Sequence, residues 1–232
     1  CWLAHNNLGN LLIRQGRTAE ARASFAEVLR LRPEQASAYN NIGETWHTEG
    51  NLPLALQSYA KALELNPDYA EAYNNQGVVL GKSGRTAEAR QSFRHALRLD
   101  PGYAMAHHNL ANALARQGDY AEAETHYREA LRLRSDFALA RFNYGLCLVA
   151  QHRGREAAPL LARAFRELPD FFLGHQLLGT LLLRQGDLNG AIDHFRQALA
   201  IRPSYAPARQ GLALALERKD SPRNPPPAPG KQ

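Results

Sequence analysis

Asparagine is the residue whose placement carries the strongest chemical signal in this 232-residue chain. Asn7, Asn41, Asn75, Asn109 and Asn143 recur at a constant 34-residue interval, and Asn6, Asn40 and Asn74 stand immediately before the first three. A carboxamide offers a donor and an acceptor together, which matches the N–H and C=O of a peptide backbone. Asparagine is also a mediocre helix former, so Gln, Glu or Lys would serve a merely solvated helix face better. The chemistry implied is recognition of main chain rather than bond making.

Other reactive constellations fail on spacing or context. Gly77-Val78-Val79-Leu80-Gly81-Lys82-Ser83 resembles a phosphate loop but is one residue short of the required spacing, and no strand precedes it. The nine histidines form no pair at i+3 or i+4 facing a carboxylate, so no metal site is expected. Cys147 lies in the apolar run Tyr144–Val149 and reads as a small buried thiol. No nucleophile elbow, dinucleotide fingerprint or paired carboxylates occur. The chain therefore reads as not an enzyme and as needing no cofactor.

The net charge of +6 arises from basic residues scattered among acidic ones rather than from a dense block. That pattern fits a solvated helical surface, and no nucleic-acid partner is expected. With two cysteines there is no disulfide framework. No apolar run reaches membrane-spanning length and no signal peptide is visible; the compartment stays open, with a soluble cytoplasmic location favoured over a lipid-anchored envelope one. Cys1 stands where a Met would open a complete chain. A fragment of a longer protein is one reading; the lipidated first residue of an envelope protein, which would bring a membrane contact, is the other.

The elements that must position the asparagines follow from the same period. Repeats run 2–35, 36–69, 70–103, 104–137, 138–171 and 172–205 without insertion. The eighth place is Gly9, Gly43, Gly77, Ala111, Gly145 and Gly179, and the twentieth is alanine every time. The twenty-fourth is Phe25, Tyr59, Phe93, Tyr127, Leu161 and Phe195. Apolar residues at helical spacing predict two helices per period, parted by Gly16, Gly50, Gly84, Gly118 and Gly186 and ended by a proline. Thr18 and Thr86 are N-cap candidates for the second helices, and Pro53 fits a first turn. In repeat five His152 replaces the turn glycine, which shifts to Gly154 and predicts an irregular turn. Residues 204–219 form a lone capping helix, and 220–232 form a proline-rich tail expected to be disordered.

Place by place, residues 2–219 resemble the tetratricopeptide repeat family. The resemblance implies an all-α, right-handed superhelical solenoid of helix-turn-helix repeats spanning residues 1–219. It also implies that the first helices line a concave face, with places two, five, six, nine, twelve and thirteen turned inward. The Asn series holds the sixth place. Neighbouring first helices lie roughly 10 Å apart and an extended peptide rises about 3.3 Å per residue, so one Asn could meet about every third peptide residue. The arrangement is similar to the asparagine ladder in the superhelical repeats of the O-linked N-acetylglucosamine transferase. The family's carboxylate clamp fits less well: Asn10 and Asn41 match its asparagines, but Asn6, Glu71 and Asn75 stand where it needs basic residues.

The function expected is a protein-interaction scaffold binding an extended protein or peptide partner. Its site residues are Asn7, Asn41, Asn75, Asn109 and Asn143, with Asn6, Asn10, Asn40, Asn74, Asn112 and Phe142 beside them. The alternative is a substrate-targeting module of a larger enzyme, such as a glycosyltransferase, whose catalytic domain lies elsewhere. Inward places in repeats five and six turn apolar (Leu139, Phe142, Leu146, Val149, Leu173, Leu183), and Leu177 ends the Asn series. An apolar half that accepts side chains is the expectation there.

Overall fold

The computed structural model describes residues 1–220, and the predicted tail beyond them lies outside the described residues. Within that range the secondary structure is all helical, and the chain falls into two compact units, Cys1–Phe137 and the described residues from Ala138 onward. The first holds α1 (Trp2–Arg14), α2 (Thr18–Leu31), α3 (Ala36–Thr48), α4 (Leu52–Leu65), α5 (Ala70–Lys82), α6 (Thr86–Leu99), α7 (Ala104–Gln117) and α8 (Tyr120–Leu133). The second holds α9 (Ala138–Ala150), α10 (Gly154–Glu167), α11 (Phe172–Gln185), α12 (Leu188–Ile201) and α13 (Ala206–Asp220).

Each period forms an antiparallel pair because the eighth-place residue of its first helix admits a large side chain from its second. A Cβ on Gly43 would stand 2.6 Å from the Tyr59 ring, and one on Gly77 would stand 2.6 Å from Phe93. The ring therefore lies flat against bare backbone, fully desolvated, where a buried aromatic contributes about 1.5–3 kcal/mol. Ala21, Ala55, Ala89, Ala123, Ala157 and Ala191 are all buried beside these rings. One pair cannot close its own core. Ile42 of α3 packs on the Leu12–Ala21–Phe25 cluster of the pair before it, so adjacent pairs must stack. In the second unit, α13 supplies Ala208 and Ala215 to a core built by Leu183, Ala191, Ile192, Phe195 and Ala198.

Two local expectations are corrected. Thr18 and Thr86 do not cap α2 and α6; they are the first helical residues, and Arg17 and Arg85 precede them at the N-cap. The side-chain caps are Asn51, which accepts from the Leu54 amide at 3.3 Å, and Asp187, which accepts from Gly190 at 3.0 Å. Nor does the turn glycine of repeat five shift to Gly154. His152 itself takes the left-handed conformation, at φ 60°, that Gly16, Gly50, Gly84, Gly118 and Gly186 take elsewhere. Gly154 begins α10, which also carries Pro159 inside it.

Candidate functional site

The sixth-place and fifth-place asparagines prove to be one hydrogen-bonded structure. Asn109 donates to Asn74 Oδ1 at 2.9 Å, and Asn74 donates to Asn75 Oδ1 at 3.4 Å. Asn75 donates to Asn40 Oδ1 at 3.1 Å, Asn40 to Asn41 Oδ1 at 3.4 Å, and Asn41 to Asn10 Oδ1 at 3.0 Å. The relay crosses four first helices, α7, α5, α3 and α1. It runs in one direction, which orients every carboxamide along it.

The helical geometry assigns the two members of each pair different work. Consecutive residues on a helix point about a quarter-turn apart. Asn40 and Asn74 turn into the seam between first helices and are buried, whereas Asn41, Asn75 and Asn109 remain half-buried with an open edge. A buried amide without a partner costs about 1–3 kcal/mol, so each fifth-place Asn needs the neighbour's sixth-place Asn. Repeat one breaks the pattern. Because Asn41 bonds Asn10, the Asn6 oxygen is buried with no hydrogen-bond partner, while Asn7 and Asn10 are exposed.

At the other end of the relay the fifth place is His108. Its Nε2 lies 3.1 Å from the Asn112 amide, and Tyr127 donates its hydroxyl to Asn112 Oδ1 at 2.7 Å. Burial, assisted by the Arg134 charge, pushes His108 down to about 4, so it is neutral at physiological pH. Asn112 is thereby occupied as a structural link between α7 and α8.

Site residues named from sequence therefore separate. Asn40, Asn74 and Phe142 are buried at 0%, 3% and 1% exposure, which leaves a ligand no surface on them. Phe142 instead packs edge-on against Phe165 and Phe171 in the second unit. Of the expected apolar half, Val149 and Leu183 are also buried, whereas Leu139, Leu173 and Leu177 are exposed. Asn143 is half-buried on α9. What sequence reasoning missed is the pairing across 35 residues; the doubled Asn was its signal.

Two clefts flank the first helices. One, of about 190 Å³, lies between α5, α6 and α7 and is lined by Lys82, Thr86, Asn109, Asn112 and Arg116. The other, in the second unit, is about 600 Å³ and lined by Gly154, Ala158, Leu161, Phe165, Leu178 and Leu182. It exists because repeat five carries Gly154, Ala158 and Leu161 at the places where repeat six carries Leu188, Ile192 and Phe195.

The phosphate-loop-like segment ends α5, so Lys82 sits at a helix C-terminus, where the dipole has the wrong sign for phosphate. Cys147 is buried, with Gln151 Nε2 3.1 Å from its carbonyl oxygen. Among the described residues no group of three or more His, Cys, Asp or Glu could hold a metal ion. No helix among them is long and apolar enough to cross a membrane.

Antiparallel helix pairs in register, each with a small residue under a large apolar side chain, define a helical-repeat protein. Tetratricopeptide-repeat models match residues 6–70, 49–104 and 104–137, and a further repeat model matches 179–220. The chain belongs to the tetratricopeptide repeat family.

Comparison with curated proteins gives no match. Among solved structures it is similar to one described as the APC/C hetero-tetramer Cut9–Hcn1, with a TM-score of 0.81 and 21% identity. That alignment covers 93% of this chain but 42% of the other, so this chain spans less than half of that relative. PilW, described as a type IV pilus biogenesis factor, aligns with a TM-score of 0.80 and 22% identity over 91% of this chain and 98% of its own. YrrB, described as a repeat protein with an unusual peptide-binding site, aligns at 0.62 with 25% identity over 85% and 98%.

Proposed function

We propose that the first unit is a non-enzymatic interaction scaffold that holds extended polypeptide against the open edges of Asn7, Asn41, Asn75 and Asn109. Tetratricopeptide repeat proteins generally mediate protein–protein interaction, and a peptide-binding site is named for YrrB, a relative of this fold.

The observation that carries the reading is the relay. Asn41, Asn75 and Asn109 each spend one amide hydrogen on a neighbouring helix, and the second hydrogen of each Nδ2 is not used by the relay. A side chain already fixed in orientation loses little entropy when it binds, which favours affinity without new contacts. Backbone recognition of this kind tolerates many sequences, because every residue except proline presents the same N–H and C=O.

The test is a triple Asn41→Ala/Asn75→Ala/Asn109→Ala variant, compared with the parent for recovery of peptides from a random display library. Loss of recovery with a native helical circular-dichroism spectrum is expected. Undiminished recovery would rule the reading out.

A further inference from the structure

The cleft between α5, α6 and α7 adds charge to this track. Lys82 on α5 and Arg116 on α7 both line it, beside Asn109 and Asn112. Neither cation has an ion-pair partner among the described residues, whereas several arginines in or just before the second helices are matched to acids. Arg17 holds Glu20 at 2.6 Å, Arg85 holds Glu88 at 2.6 Å, and Arg94 holds Glu122 at 2.7 Å. The Lys82 charge reaches α3 as well: burial lowers the His47 pKa first, and the Lys82 ammonium lowers it further.

A cation at a helix C-terminus is explained by the helix dipole alone. The dipole does not explain why the two cations share one cleft with a third wall of opposite polarity. That wall is the first turn of α6, through Thr86 and Ala89, whose positive helix end offsets the negative ends of α5 and α7. At about 190 Å³ the space is smaller than a typical small-molecule pocket and suits a single side chain.

Resting on the peptide-track reading, we infer that this cleft receives an aspartate or glutamate side chain of the bound polypeptide, held between Lys82 and Arg116 while Asn109 contacts the adjacent backbone. The partner is thus an extended segment with an acidic residue at one fixed register. The acidic residues Glu44 of α3 and Glu71 at the far end of α5 are not among the residues lining this cleft.

A random peptide display library selected on the parent protein and on Lys82→Gln/Arg116→Gln tests this. The parent is expected to enrich peptides with one acidic position. Replacing that acid by its amide in a recovered peptide should weaken binding roughly tenfold, the size expected of a charge-assisted hydrogen bond. The double variant should recover peptides without the acidic preference, and Lys82→Arg/Arg116→Lys should retain it. Enrichment without an acidic position, or an acidic preference that survives in the double variant, overturns the inference and leaves the peptide track standing. Failure of the parent to enrich any peptide overturns the track and the inference together.

Discussion

The fifth place of the first helix is buried in α3 and α5 of the first unit and in α9 of the second, and it is filled by opposite chemistry. In the first unit it is Asn40 and Asn74, whose oxygens accept from Asn75 and Asn109 at 3.1 and 2.9 Å. In the second it is Phe142, whose ring meets Phe171 at 4.9 Å and Phe165 at 5.6 Å. Burial is equal, but what it requires differs. An aromatic cluster is satisfied by area and packs with any apolar neighbour. A buried amide is satisfied by one partner at one distance, so it fixes the register of the next helix and turns that helix's amide toward the surface. Polar burial organises a surface; apolar burial organises a core.

Crossing the two chemistries gives the largest expected effect. Phe142→Asn in the second unit removes a buried ring and strands an amide among phenyl groups, and should cost about 3–5 kcal/mol in denaturant unfolding. Asn74→Leu in the first unit should cost about 1–3 kcal/mol, because it leaves the Asn109 donor and the Asn75 acceptor without their relay partner. A smaller gain is expected from His152→Gly in the second unit. Relieving the left-handed backbone at φ 60° should stabilise by about 1–2 kcal/mol, read as a rise in unfolding midpoint.

The units also share a feature that sets the last test. His175 and His194 approach at 3.0 Å between Nδ1 atoms, and His107 and His126 approach at 2.8 Å at the same repeat places in the first unit. Burial, then the neighbouring His194, pushes His175 down to about 4, and burial lowers His194 against the opposing pull of Asp193 and Asp187. The folded pKa lies below the unfolded value near 6.5, so the unfolded chain binds more protons between the two. Stability from this pair is complete above about pH 6.5 and is lost as pH falls toward about 4. His175→Phe, which keeps the stack on Phe165, should flatten that part of the stability–pH curve.

The fold was legible because its determinants repeat: a small eighth place, alanine at the twentieth and a large apolar side chain, a ring in all but repeat five, at the twenty-fourth. These act through contacts within one period, as Gly43 under Tyr59 does, and a period shows them directly. The candidate site was legible in residue type but not in orientation. Asn40 and Asn41 look alike in sequence, and the seam that buries the first exists only after two helices stack. His152 was misread for a related reason. A turn glycine missing from its place suggested a shifted turn, whereas the packing of α9 on α10 kept the turn and imposed its backbone conformation on histidine.

The central claim is that the buried asparagines hold the relay and the half-exposed ones hold the peptide. It is tested most directly by titrating one library-selected peptide calorimetrically into two variants, Asn40→Ala/Asn74→Ala and Asn41→Ala/Asn75→Ala/Asn109→Ala. Both break the relay, and both are measured at a temperature where the helical spectrum is native. The account expects the buried pair to lower stability and to weaken peptide binding only by the cost of ordering the freed amides, and the half-exposed triple to abolish binding. Equal affinity in the triple and the parent would contradict it.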